Sequence, residues 1–272
     1  MQDRTDLTPT ACAKLHPGLF GDLDYAQQIS SMGGSMSSRI SLGVNGLEAE
    51  VGDHICGLYA GQPQRDQVVI PFLEAGLAAG DKCICVVDET DPAKIFKKLG
   101  RSGATSASAP AKQLDVIRAA DLYLRSGQFS ADEIIGAWKA AVADAMYDGR
   151  FNLVRAVETW SRRDVVPDMQ ELLQLESEMN RYMPLYPQIV VCLYDIERFG
   201  AGIIVDLLKT HPRMLIGEML IENPYYLTPD ELLAGASRDL VPDEPAAGAA
   251  YDSDKAIAEA AKWYFEETTG ST

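Results

Sequence analysis

Apolar residues recur in two rhythms between residues 50 and 235. Short, nearly unbroken apolar runs at 54–60, 82–88, 114–118, 152–160 and 189–195 read as strands. Their continuity marks strands buried on both faces, as in a parallel sheet. Longer stretches of helical spacing lie between them. Val69, Ile70, Phe72, Leu73 and Leu77 predict a helix over 66–79, with Gly80 placed to end it in a left-handed cap. Ile134, Ile135, Trp138, Ala141, Val142, Ala145 and Met146 form one stripe over 130–147. Further helices are expected over 92–99, 166–183 and 198–209, the second carrying Met169, Leu172, Leu173, Met179 and Tyr182 on one side. Residues 61–66 read as a turn and 214–221 as one closing strand. Strands alternating with helices specify βαβ units. The expected fold is therefore α/β and three-layered, a mainly parallel sheet with helices on both faces. Ligands of such sheets bind at the carboxyl ends of the strands.

The rhythm stops at both ends. Residues 1–48 contain a Ser/Gly/Met-rich stretch with little apolar surface to bury, and read as a flexible arm with one short helix near 20–29. Residues 49–240 form the expected domain, and 241–272 a linker with a last helix over 253–267.

Composition narrows the function classes. Hydrophobic residues make up 47% and charged residues 24%, as in ordinary globular proteins. Forty acidic against 24 basic residues give a formal net charge of −16. Direct nucleic-acid binding, which needs a basic patch, is not expected. No apolar run is long enough for a membrane span, and the N-terminal residues lack the apolar core of a signal peptide, so a cytoplasmic location is expected. The five cysteines, Cys12, Cys56, Cys83, Cys85 and Cys192, are odd in number and expected to stay reduced.

The turn after the first strand sits where a P-loop would cradle phosphate, but it lacks Gly-Lys-Ser/Thr. Arg65 is a candidate anion contact there, and nothing supplies the hydroxyl that would hold Mg²⁺. Neither a Ser-His-Asp order nor HExxH points to a hydrolase.

Residues 54–89 open with HxCxxY through His54, Cys56 and Tyr59, and the stretches 122–135, 154–160 and 190–226 follow in a consistent order. On these motifs the chain resembles the MEDS family, the methanogen/methylotroph DcmR-type sensory domain, over about residues 50–235. The resemblance implies a RecA/KaiC-like scaffold with a degenerate phosphate loop. It also implies sensing of small hydrocarbon derivatives, one-carbon compounds among them. Members are often fused to a DNA-binding or kinase domain, and neither is recognisable here.

His54 and Cys56 lie two apart on a strand and so share a face. They can act as soft metal ligands, as a thiolate–imidazole pair, or as polar anchors in an apolar pocket. Cys83 and Cys85 share one face of the next strand, so a His54/Cys56/Cys83/Cys85 cluster would require those faces to meet; plain packing of small apolar thiols is the alternative. No CxxC spacing suggests a zinc site, and no metal is expected. Tyr59, at the carboxyl end of the first strand, faces away from His54 and Cys56 if that strand is regular. Asp88 and Glu89 end the second strand, where they bind a ligand or cap the next helix. Glu158 sits in an apolar strand and needs a partner, which Arg155, on the opposite face, does not supply. His211 reads as a helix cap, and Asp195 with Arg198 as a local pair.

The expected ligand set is thus His54, Cys56, Tyr59, Arg65, Asp88, Glu89 and Glu158, with no catalytic residue. The function expected is a non-enzymatic sensor that takes a small organic ligand and regulates a protein partner or a second copy of itself. Two alternatives remain open: a nucleotide-binding protein or weak ATPase, and a thiol- or metal-based redox sensor. No cofactor is demanded by any motif; a nucleotide or a small organic molecule is the candidate.

Overall fold

The computed structural model describes residues 39–88, 90–101, 113–124, 126–146, 150–161, 169–199 and 202–235. The chain divides into residues 1–36 and 37–272, and the described residues all belong to the second unit. The expected helices near 20–29 and 253–267, and Cys12 and Glu89, lie outside them.

Seven strands form the central sheet: β3 (His54–Tyr59), β4 (Lys82–Val87), β5 (Leu114–Arg118), β6 (Val154–Trp160), β7 (Gln188–Asp195), β8 (Arg213–Ile216) and β9 (Met219–Glu222). Their order is β5-β4-β6-β7-β3-β8-β9, every neighbouring pair being parallel except β8 with β9. Two layers flank it. On one face α1 (Gly61–Ala79), α2 (Pro92–Arg101) and a small hairpin, β1 (Ile40–Ser41) with β2 (Glu48–Ala49), cover Ile55, Cys83, Cys85, Val157, Val191 and Leu193. The other face is covered by α3 (Ala119–Tyr123), α4 (Ala131–Met146), α5 (Met169–Tyr182), α6 (Ile196–Phe199) and α7 (Gly202–Thr210), packed on Cys56, Ile84, Val154, Ala156, Val190, Cys192 and Tyr194. The expected three-layer α/β fold is the fold observed. The two-residue alternation sends successive side chains of each strand to opposite layers, and both layers are apolar.

Several local expectations change. Residues 61–66 are not a turn but the start of α1, which begins directly after β3. Gly61 takes φ +69, which lets the chain reverse at once, and Pro63 falls in the first turn, where no helical hydrogen bond is lost. Residues 214–221 are not one strand but the hairpin β8–β9, with Ile216 opposite Met219 and Gly217 at φ +57 in its two-residue turn. The fold also begins earlier than expected: the β1–β2 hairpin lies within the stretch read as an arm. Its Gly43, at φ +74, lies so close to α1 that a Cβ there would meet the Pro71 carbonyl oxygen at 2.2 Å. Two short helices, α3 and α8 (Pro229–Leu233), had no clear periodic signal. No described helix is long and apolar enough to cross a membrane.

Candidate functional site

The sheet register builds a row across four strands. Glu158 of β6 lies beside Cys192 of β7, Cys192 beside Cys56 of β3, and Cys56 beside Met214 of β8. His54 stands two residues before Cys56 on the same face, beside Val190. This is the inner part of the sheet, away from its carboxyl edge.

The helical layer brings two further groups onto that face. Glu176 sits mid-way along α5, where Leu172 and Met179 mark the buried stripe. His211 immediately follows α7. The Glu176 Oε2 atom lies 3.1 Å from His54 Nε2, 3.3 Å from His211 Nε2 and 3.7 Å from Cys192 Sγ. His54 Nε2 and Cys192 Sγ are 3.4 Å apart, and the two imidazole rings lie 4.3 Å apart. All four side chains are buried, at 2% exposure or less. Tyr194 donates a hydrogen bond to the other Glu176 oxygen, Oε1.

Outer contacts orient the rings. His54 Nδ1 lies 3.0 Å from Asn180 Oδ1, while the Asn180 amide donates to the carbonyls of Glu176 and Thr210. His211 Nδ1 lies 3.1 Å from the Leu207 carbonyl, so the capping expected of His211 is present, but its other nitrogen faces Glu176. Burial works against ionisation of Glu176, yet the contacts with His211 and His54 prevail and hold its carboxyl well below the usual range. Burial, then the nearby His54, lowers the pKa of His211.

Glu158 finds its partner in Tyr123, whose hydroxyl donates to it at 2.5 Å. Burial and then Glu176 push the Glu158 carboxyl up to about 7. Burial and Glu176 likewise raise the Cys56 and Cys192 thiols well above their ordinary values. A small cavity adjoins this group, lined by His54, Glu158, Glu176 and Cys192 with the apolar side chains of Ile134, Trp138, Leu175 and Met179. It has room for about one water-sized molecule.

The residues expected to share a ligand are divided between two places. His54, Cys56 and Glu158 come together here. Tyr59 ends β3 on the other face, about five residues or roughly 16 Å along the strand from His54. A single pocket holding all three signature residues over the strand ends is therefore not formed. Arg65 and Asp88 lie with Tyr59 at the carboxyl edge, and their groups are engaged. Arg65 bonds Asp66 and Thr90, and Asp88 accepts from the backbone N–H and hydroxyl of Ser161. Cys83 and Cys85 face the opposite layer, so the His54/Cys56/Cys83/Cys85 cluster does not exist. Arg155 also points there, held by Asp81 and the Ser41 carbonyl.

Sequence reasoning missed Glu176, Cys192 and His211 as site residues. The available signal was Glu176 itself, a carboxylate on the apolar stripe of an amphipathic helix. Nothing in the spacing said that it would meet His54.

At the N-terminus of α1, the backbone N–H groups of Gly61 and Glu197 both donate to the Asp195 carboxylate. A side chain thus takes up the first free N–H group of that helix.

Comparison with known proteins converges on one family. The profile described as MEDS, the methanogen/methylotroph, DcmR sensory domain, matches residues 53–212. A curated relative, the transcriptional repressor DcmR of Methylorubrum extorquens, is 29% identical over 182 residues, covering 65% of this chain and 64% of that protein.

Proposed function

Because the chain belongs to the MEDS family of sensory domains, we propose that it detects a small organic molecule in the chamber between the sheet and α4–α5, without chemical turnover. One observation carries this reading. Ionisable groups from β3, β6, β7, α5 and the end of α7 converge beside a cavity inside an otherwise apolar layer. Burying such groups costs several kcal/mol each unless they are mutually satisfied, so an apolar packing would hold the fold together more simply. Convergent buried polar groups with shifted pKa values in a cavity mark functional sites.

The cavity is small, which favours a ligand of very few heavy atoms. As it stands the cavity admits about one water-sized molecule, so a one-carbon alcohol, aldehyde or halide enters as the apolar wall of Ile134, Leu175 and Met179 gives way over its polar floor, in keeping with a family described from methanogens and methylotrophs. A RecA/KaiC-like origin accounts for the topology, but the Asp195 carboxylate at α1 and the engaged Arg65 count against a bound nucleotide. Regulation is proposed to pass to a protein partner or to a second copy of the chain. A net charge of −16 opposes direct contact with DNA phosphates. Transcriptional repression is the role named for the relative, of which the match spans 64%.

Trp138 lines the chamber and reports on it. Titration with methanol, formaldehyde and dichloromethane is expected to give saturable quenching of tryptophan fluorescence with at least one of them. Val190→Ile, which adds one methylene to the lining of a chamber of this size, abolishes the change while circular dichroism stays native. ATP–Mg²⁺ gives neither binding heat nor phosphate release. ATP turnover, or no saturable response to any of the three small molecules, defeats the reading.

A further inference from the structure

We propose that His54, His211, Glu176 and Cys192 form a metal site for a divalent transition ion, with zinc as the expected occupant. The site shares His54, Glu176 and Cys192 with the lining of the chamber, but the inference rests on the donor geometry alone.

Zinc bonds of about 2.0 to 2.3 Å at tetrahedral angles place neighbouring donor atoms about 3.3 to 3.6 Å apart. Four of the six separations among His54 Nε2, His211 Nε2, Glu176 Oε2 and Cys192 Sγ are 3.1, 3.3, 3.4 and 3.7 Å. One ligand atom from each of the four residues lies within 4.8 Å of all the others. Two imidazoles, a thiolate and a carboxylate make a four-ligand set suited to zinc.

The protons point the same way. His54 Nδ1 faces the Asn180 side-chain carbonyl, whose orientation is set because the Asn180 amide donates to two backbone carbonyls. His211 Nδ1 faces the Leu207 carbonyl and the Thr210 hydroxyl oxygen, whose own hydrogen is directed at the Asp206 and Leu207 carbonyls. Carbonyl oxygens only accept, so each Nδ1 carries the hydrogen, as in the outer shell of metal-bound histidines. Each Nε2 then directs a lone pair, or a second proton, at the same carboxylate oxygen. Two bare lone pairs repel that oxygen. A single extra proton neutralises Glu176 and satisfies one ring but leaves the other ring's lone pair on the same oxygen, and two would leave a net positive charge in an apolar layer. His211 Nε2 also makes no aligned hydrogen bond, despite its 3.3 Å approach. One divalent cation resolves all of this. With the Cys192 proton released on binding, the charges of the ion, Glu176 and the thiolate sum to zero, and both imidazoles stay neutral.

The test uses the full chain purified without chelator. Elemental analysis is expected to find about one zinc per chain, a closed four-ligand site being tight. Cobalt(II) added to the chelator-stripped chain is expected to give the visible bands of tetrahedral cobalt together with a near-ultraviolet thiolate charge-transfer band. Cys192→Ser removes the thiolate band and weakens metal binding by about 10- to 100-fold, whereas Cys83→Ser, on the opposite face, retains both. Should Cys192→Ser fail to fold, the spectrum of the unmutated chain decides alone, since Cys192 is the cysteine of the set. A folded, stripped chain that takes up cobalt only at millimolar concentration, or a thiolate band that survives in Cys192→Ser, overturns the proposal. Metal content and tryptophan quenching are separate readouts. Metal without quenching counts against the organic ligand alone, and quenching without metal counts against this site alone.

Discussion

Cys83 and Cys85 show what burial does to a thiol away from the polar cluster. Both are fully enclosed between β4 and α1, and burial pushes each up to about 12. For Cys83 the carboxylate of Asp81 adds to the rise, against Arg155 and Lys82; for Cys85 Arg65 works against it. A thiol must ionise to be alkylated, so iodoacetamide at pH 8 is expected to label both at least about tenfold more slowly in the native chain than in urea. Peptide mass spectrometry reads each site separately, and equal rates in the two states would show that the layer opens readily. Because the folded-state pKa is raised, the proton is held more tightly by the folded chain. Their contribution to stability is complete below the unfolded thiol value and is lost as pH rises from about 9 towards 12. Denaturation midpoints measured across that alkaline window should fall.

At the scale of elements, the β1–β2 hairpin depends on one glycine more than on its others. Gly43 and Gly46 both adopt left-handed backbone, at φ +74 and +72. A Cβ at Gly46 meets nothing within 4 Å, whereas at Gly43 it meets the Pro71 carbonyl oxygen at 2.2 Å and Ala75 Cβ at 2.8 Å. Gly46→Ala is therefore expected to lose only about 1 kcal/mol from backbone strain. Gly43→Ala should lose roughly 2 to 4 kcal/mol, because α1 or the hairpin must also move. Paired urea denaturation curves test this, and equal losses would mean that the hairpin contributes little to the fold. The hairpin is also tied to the sheet by Arg155, whose guanidinium bridges Asp81 and the Ser41 carbonyl.

At the scale of the whole molecule, charge is in excess. Forty acidic residues against 24 basic ones leave −16, and like charges oppose the compact state. Raising NaCl from about 50 to 500 mM shortens the screening length well below the molecular diameter, so the melting temperature should rise by a few degrees. Calorimetry checks the sign. A fall would mean that ion pairs such as Lys82–Asp115 and Arg213–Asp53 outweigh the general repulsion. The same repulsion acts between two copies of the chain, so self-association, if it is the output, should strengthen with salt.

Much of this molecule was legible in the order of its residues. Continuous apolar runs of five to eight residues, separated by helical stripes, determined parallel strands and two covering layers, because only a sheet buried on both faces accommodates such runs. The two-residue period likewise placed His54 with Cys56 and turned Tyr59 away, since pleating is a local property of one strand. Local patterning did not disclose that 61–66 begins a helix, because Gly61 acts through a positive φ that composition alone assigns equally to a turn. The candidate site lay beyond it altogether. Glu176, Cys192 and His211 are separated from His54 by 122, 138 and 157 positions, and which strand face meets which helix is set by the strand order β6-β7-β3-β8. Only the closed tertiary structure turns a cysteine, a histidine at a helix end and a carboxylate on an apolar stripe into neighbours, because side chains so distant in the chain are brought within bonding distance by packing and by nothing local.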